Sequence, residues 1–94
     1  MAKYVMLGRY TAQALQQMSS GRTAKAVALV RQLGGSVESM YATLGSHDLV
    51  LILDFPNTQH AMKASVALTK LTGIPFSTCE AVPVDEFDKL VSEI

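Results

Sequence analysis

The 94-residue chain carries eight basic and eight acidic residues, and almost half of it is hydrophobic against 17% charged. Balanced charge argues against nucleic acid or an anionic membrane as the partner, and the apolar content argues against disorder. A chain this short buries only about 60–65% of the surface its unfolded form exposes, so further burial by self-association matters to its stability.

Cys79 is the single cysteine, which leaves no internal disulfide and fits a reducing compartment. No stretch approaches membrane-spanning length, and the N-terminus has no basic segment leading into an apolar one. A cytoplasmic protein of one domain, residues 1–94, is expected.

Lys3 to Tyr10 mixes aromatic, β-branched and long apolar residues and reads as the first strand. Alternation places Tyr4, Met6, Gly8 and Tyr10 on one face, with Lys3, Val5, Leu7 and Arg9 on the other. Thr11 can cap a short helical turn whose apolar side is Ala14, Leu15 and Met18, and Ser19-Ser20-Gly21 interrupts it. The next helix runs from about Thr23 to Leu33, with Ala26, Val27, Val30 and Leu33 at helical spacing and Gly34-Gly35 as its stop.

Ser36 to Thr43 is mixed in polarity, which suits an edge strand. Gly45-Ser46 is expected to form a type II′ hairpin turn, with Thr43 opposite Asp48 and Tyr41 opposite Val50. The strand that follows is the organising element, because Leu49 to Leu53 is apolar without alternation and therefore wants cover on both faces. In this register Met40, Ala42, Leu49, Leu51, Leu53 and Phe55 form an apolar face for the helices, while Tyr41, Thr43, Asp48, Val50, Ile52 and Asp54 share the opposite one.

Asn57 or Thr58 caps a helix to about Leu71, with a buried stripe of Ala61, Ala64, Leu68 and Leu71 and a stop at Gly73. Phe76 to Val82 reads as the last strand. Asp85 caps a terminal helix over residues 84–94, whose Phe87, Leu90, Val91 and Ile94 lie at i, i+3, i+4 and i+7. The order over residues 1–83 is that of a ferredoxin-like βαββαβ sandwich, an α+β fold, with the amphipathic helix appended.

Lys3-Tyr4-Val5-Met6-Leu7-Gly8-Arg9-Tyr10-Thr11, Gly34-Gly35, Tyr41-Ala42-Thr43-Leu44-Gly45, Asp48 before an apolar strand, and the closing Cys79-Glu80-Ala81 together resemble the GYD domain family over nearly the whole chain. The departure from its pattern is His47, which stands where a tyrosine is expected. The resemblance implies a dimeric α/β barrel, in which two sheets pack face to face with the helices outside. It implies no particular activity, and its fold relatives, which include small monooxygenases and isomerases, serve by analogy only.

With Val5 and Leu7 turned to the helices, Tyr4, Met6 and Tyr10 are expected on the open face beside Tyr41, Thr43 and Asp48, joined by Thr78 and Glu80. That arrangement suggests a small organic ligand held between two subunit sheets by Tyr4, Tyr10, Tyr41, Thr43, Asp48 and Glu80. The alternative is that the tyrosines simply fill an interface. A cofactor-independent enzyme of the monooxygenase or isomerase kind would use Tyr41 and Asp48 in the same space, with Asp48 as a base; alternatively Asp48 bonds backbone at its turn. His47 and His60 lack metal-ligand spacing, and no cofactor or metal is expected. Arg9 is a carboxylate clamp or a rim ion pair. Cys79 reads as a small buried residue, and Met18, Met40 and Met62 as core filling.

Overall fold

The computed structural model describes all residues from Met1 to Ile94. Its strands are β1 (Ala2–Gly8), β2 (Ser36–Ala42), β3 (Leu49–Phe55) and β4 (Phe76–Ala81). Its helices are α1 (Ala12–Gln16), α2 (Ser20–Gln32), α3 (Thr58–Thr72) and α4 (Val84–Ser92). The sheet is antiparallel in the order β2-β3-β1-β4, the split arrangement of a ferredoxin-like α+β sandwich. Strand β2 lies at an edge, as its mixed polarity suggested, and β3 lies inside.

Local chemistry accounts for the boundaries. The side chains of Thr11, Ser19 and Asn57 accept from the amides of Ala14, Arg22 and His60, and so cap α1, α2 and α3. Gly34, at φ 91°, follows α2, and Gly73, at φ 75°, follows α3, both in the left-handed conformation that glycine takes most readily. The Gly45-Ser46 turn departs from expectation. Gly45 does not have positive φ, so the connection is not type II′, although Tyr41 does pair with Val50 and the Thr43 amide donates to the Asp48 carbonyl at 2.8 Å.

One face of the sheet is covered by α2 and α3. Leu51, Leu53 and Phe55 of β3 are buried there against Ala26 and Val30 of α2 and Ala61, Ala64 and Leu68 of α3. Thr72, not Leu71, completes the buried side of α3; Leu71 is exposed. Of the methionines expected in the core, Met62 and Met18 are exposed and Met40 is partly buried against it.

Strand β1 has the opposite facing to that expected. Tyr4 and Met6 are buried on the helix side, 2% and 0% exposed, paired with Leu53 and Leu51. Lys3, Val5 and Leu7 pair with Asp54, Ile52 and Val50 on the open side. The physical reason is twofold. The bulkier side chains fill the space under the helices, where Tyr4 meets the Phe55 ring edge-on at 5.9 Å. Gly8 shares their parity, and a Cβ there would stand 2.8 Å from the Phe76 ring.

The other face of the sheet is bare. Its centre is apolar, formed by Val5, Leu7, Val50 and Ile52. One end is charged: Lys3 Nζ meets Asp54 at 3.2 Å and Glu38 at 3.1 Å. The register slips between Val37 and Ser39, so Glu38 is the extra residue of a bulge that brings its carboxylate to Lys3. Helix α4 buries none of its residues, and Phe87, Leu90 and Val91 stand about half exposed.

Candidate functional site

The residues anticipated as one ligand site are distributed over both sides of the sheet. Tyr41 is on the open face and exposed, opposite Val50. Tyr4 and Glu80 are on the helix side: the Tyr4 hydroxyl donates to Glu80 Oε1 at 3.0 Å and lies 3.3 Å from the Thr58 hydroxyl. Thr78, paired with Met6, also faces the helices and donates to the Ser65 hydroxyl at 2.9 Å. Thr43 is exposed and donates to the carbonyl of His47.

Asp48 and Tyr10 do meet, through backbone. The Asp48 carboxylate accepts from the Tyr10 amide at 2.9 Å, and the Asp48 amide donates to the Gly8 carbonyl at 2.8 Å. This stitches the start of β3 to the end of β1. The aspartate thus bonds backbone, but not that of its own turn: its partner Tyr10 lies two residues past the end of β1. Cys79 is exposed, since it pairs with Val5 and so belongs to the open side. No group of three or more His, Cys, Asp or Glu side chains is placed to hold a metal ion. His60 is tied to its own helix cap, with Nδ1 2.7 Å from Asn57 Oδ1.

The apolar hollow of the molecule lies on the helix side, at the end of the sheet where β1 and β3 meet their loops. It measures about 70 Å³ and is lined by Tyr10, Met18, Arg22, Met40, Leu49 and Phe76 among others. Sequence reasoning passed over Arg22, Met18, Met40 and Phe76 as site residues. They come from α2, the α1–α2 link and two strands, and no local motif joins them. A larger hollow of about 440 Å³, between Gln32–Gly34 and Gln59–Lys63, is a polar surface groove with Leu33 as its one apolar wall. Apolar enclosure favours the smaller space as a ligand site.

One ionisable group departs clearly from its ordinary behaviour. Hydrogen bonds to Glu38 and then Asp54 raise the Lys3 ammonium above its usual 10.5, outweighing desolvation, which opposes them, and the charges of the two carboxylates add to the rise.

No helix is long and apolar enough to cross a membrane. The family model described as GYD domain matches residues 4–91. No curated protein matches the chain.

Proposed function

The chain belongs to the GYD domain family, and from that premise we propose that it works as a self-associating domain, two copies packing open sheet face to open sheet face with α4 closing the seam. The observation that carries this reading is the coincidence of two uncovered apolar surfaces on one small chain. Val5, Leu7, Val50 and Ile52 occupy the middle of the bare face, and Phe87, Leu90 and Val91 of α4 are half exposed.

Magnitudes support a partner. The accessible surface is 6167 Å². A compact monomer of 10.1 kDa is expected to expose about 5,300 Å², so the excess is roughly 900 Å². That is close to the ~800 Å² that each partner contributes to an interface of ordinary size. The radius of gyration, 14.2 Å against about 12.4 Å expected for this length, agrees with an element that stands off the body. Placing both surfaces against a second copy removes them from water together, and the closed point symmetry of a dimer leaves no further copy to recruit.

A ligand between the sheets draws little support from the side chains, since Tyr4 and Glu80 lie on the far side of the sheet and Tyr41 alone of the tyrosines is exposed on the open one. The enzymatic alternative needs Asp48 free as a base, whereas its carboxylate holds the Tyr10 amide. Sedimentation equilibrium at micromolar concentration is the test. A dimer is expected for the natural chain and a folded monomer for Ile52→Glu, which sets a charge in the middle of the apolar face. A natural chain that sediments as a folded monomer would end the proposal.

A further inference from the structure

The hollow under α2 has the features of a binding site for a small monocarboxylate with a short branched apolar tail. Its lining is apolar apart from Arg22, Thr23 and Thr72. The Thr72 hydroxyl is already committed, donating to the Leu68 carbonyl at 2.7 Å and accepting from the Ile74 amide at 3.1 Å. Arg22 is not committed. Its guanidinium makes one long bond, 3.4 Å to the Thr72 carbonyl, and takes part in no ion pair; Lys3 makes the salt bridges of this chain. A half-buried guanidinium at the edge of an apolar space presents a donor fork that matches a carboxylate.

Size and lining set the rest of the ligand. The volume is about 70 Å³. An apolar cavity of roughly 150 Å³ holds a benzene ring, so in proportion this one suits about three carbons, the branched end of such a tail. Leu49 and Phe76 supply fixed walls, while Met18 and Met40 are unbranched and can shift to fit the guest. Tyr10 adds a phenol to the lining, on a backbone already fastened by Asp48.

We propose that Arg22 binds the carboxylate of such an acid while the tail enters the space between Met18, Met40, Leu49 and Phe76. The site belongs to a single subunit and does not depend on association of the sheets. A single cation beside an apolar space favours a monoanion over a phosphate, which would leave charge unpaired against apolar walls.

The test uses the full chain with ¹³C-labelled methionine methyls, titrated with isovalerate and, separately, with the uncharged 3-methyl-1-butanol. Saturable shifts at Met18 and Met40 are expected, with Met62 on the outside of α3 unmoved. Arg22→Gln should weaken isovalerate about tenfold, the worth of one charge-assisted contact, and leave the alcohol's affinity as it was. The alcohol thus reports whether the hollow survives the substitution. Loss of both ligands in equal measure, or of neither, overturns the proposal. So do isovalerate shifts that fail to saturate or that bypass Met18 and Met40.

Discussion

The carboxylate of Asp48 accepts the backbone amide of Tyr10 across 2.9 Å, joining residues 38 apart in sequence just beyond the strands β1 and β3. Tyr10 follows the last residue of β1 by two positions, and without this acceptor its amide would leave the sheet unpaired. The Asp48 amide completes the link by donating to Gly8. Asp48→Ala removes a charged acceptor from a half-buried donor and should destabilise the chain by about 1–2 kcal/mol. Asp48→Asn keeps a carbonyl oxygen in place and should lose less. Urea titration of both variants checks the order; a stability unchanged in Asp48→Ala would mean that the bond contributes nothing net.

Tyr4 shows where the sequence was legible and where it was not. Element order, the caps at Thr11 and Asn57, both glycine stops and the register of β2 on β3 from Ser39 to Ala42 follow from short-range signals, because capping residues and alternation act within a few positions. Helix α2 instead starts at Ser20 on a Ser19 cap, α4 follows Pro83 with no side-chain cap where Asp85 was expected, and the bulge at Glu38 breaks the register. The facing of β1 depends on which of two apolar rows fits under the helices, and Tyr4-Met6 and Val5-Leu7 are equally apolar as rows. The deciding signals were Lys3, whose parity with Val5 and Leu7 marks the wet side, and Gly8, whose parity with Tyr4 and Met6 marks the crowded one. The hollow beside Arg22 was not legible at all, since only the folded topology assembles its walls.

With Tyr4 buried, its two parts can be separated by substitution. Tyr4→Phe keeps the edge-on contact with Phe55 and deletes the donor to Glu80, for a loss of about 1 kcal/mol. Tyr4→Ala also opens a hole in the core and should lose about 3–5 kcal/mol. Had Tyr4 been an interface residue on the open face, the alanine variant would weaken association and leave subunit stability nearly intact. Denaturation curves at two protein concentrations distinguish these outcomes.

Three glycines should respond to alanine in a fixed order. At Gly35 a Cβ would lie 2.4 Å from the Phe55 ring and 2.7 Å from the Asp54 carbonyl, so strand β3 or a core ring has to move. A loss of about 2–3 kcal/mol is expected for that overpacking. At Gly34 the obstacle is φ 91° together with a His60 contact at 3.3 Å, for about 1–2 kcal/mol. Gly45 has neither a neighbour within 4 Å nor positive φ, and alanine there should be neutral or stabilise by about 0.5 kcal/mol through the unfolded chain. Thermal midpoints in the order Gly45→Ala, Gly34→Ala, Gly35→Ala, highest first, are the check.

Helix α4 separates assembly from folding. Because none of its residues is buried, Leu90→Asp takes nothing from the core of the subunit. In the proposed dimer the same change places a carboxylate in the seam. The expected result is a raised dissociation constant by sedimentation, with far-ultraviolet circular dichroism and the unfolding midpoint of the dilute protein unchanged. A lowered midpoint at dilution with association intact would show instead that α4 docks on its own subunit.

Lys3 gives the chain a definite behaviour in alkali. Hydrogen bonds to Glu38, then to Asp54, favour its protonated form in the fold and raise it above the ordinary 10.5 of the unfolded chain. A folded state that holds this proton more tightly is stabilised while the pH stays below 10.5, and that contribution disappears as the pH climbs through the higher folded value. Lys3→Met abolishes the titration and leaves Glu38 and Asp54 facing each other across the bulge. The natural chain should therefore be the more stable of the two at neutral pH, with the gap narrowing above 10.5. Unfolding curves from pH 8 to about 11.5 supply the measurement, and a gap of constant width throughout would show that the two carboxylates do not hold the Lys3 proton.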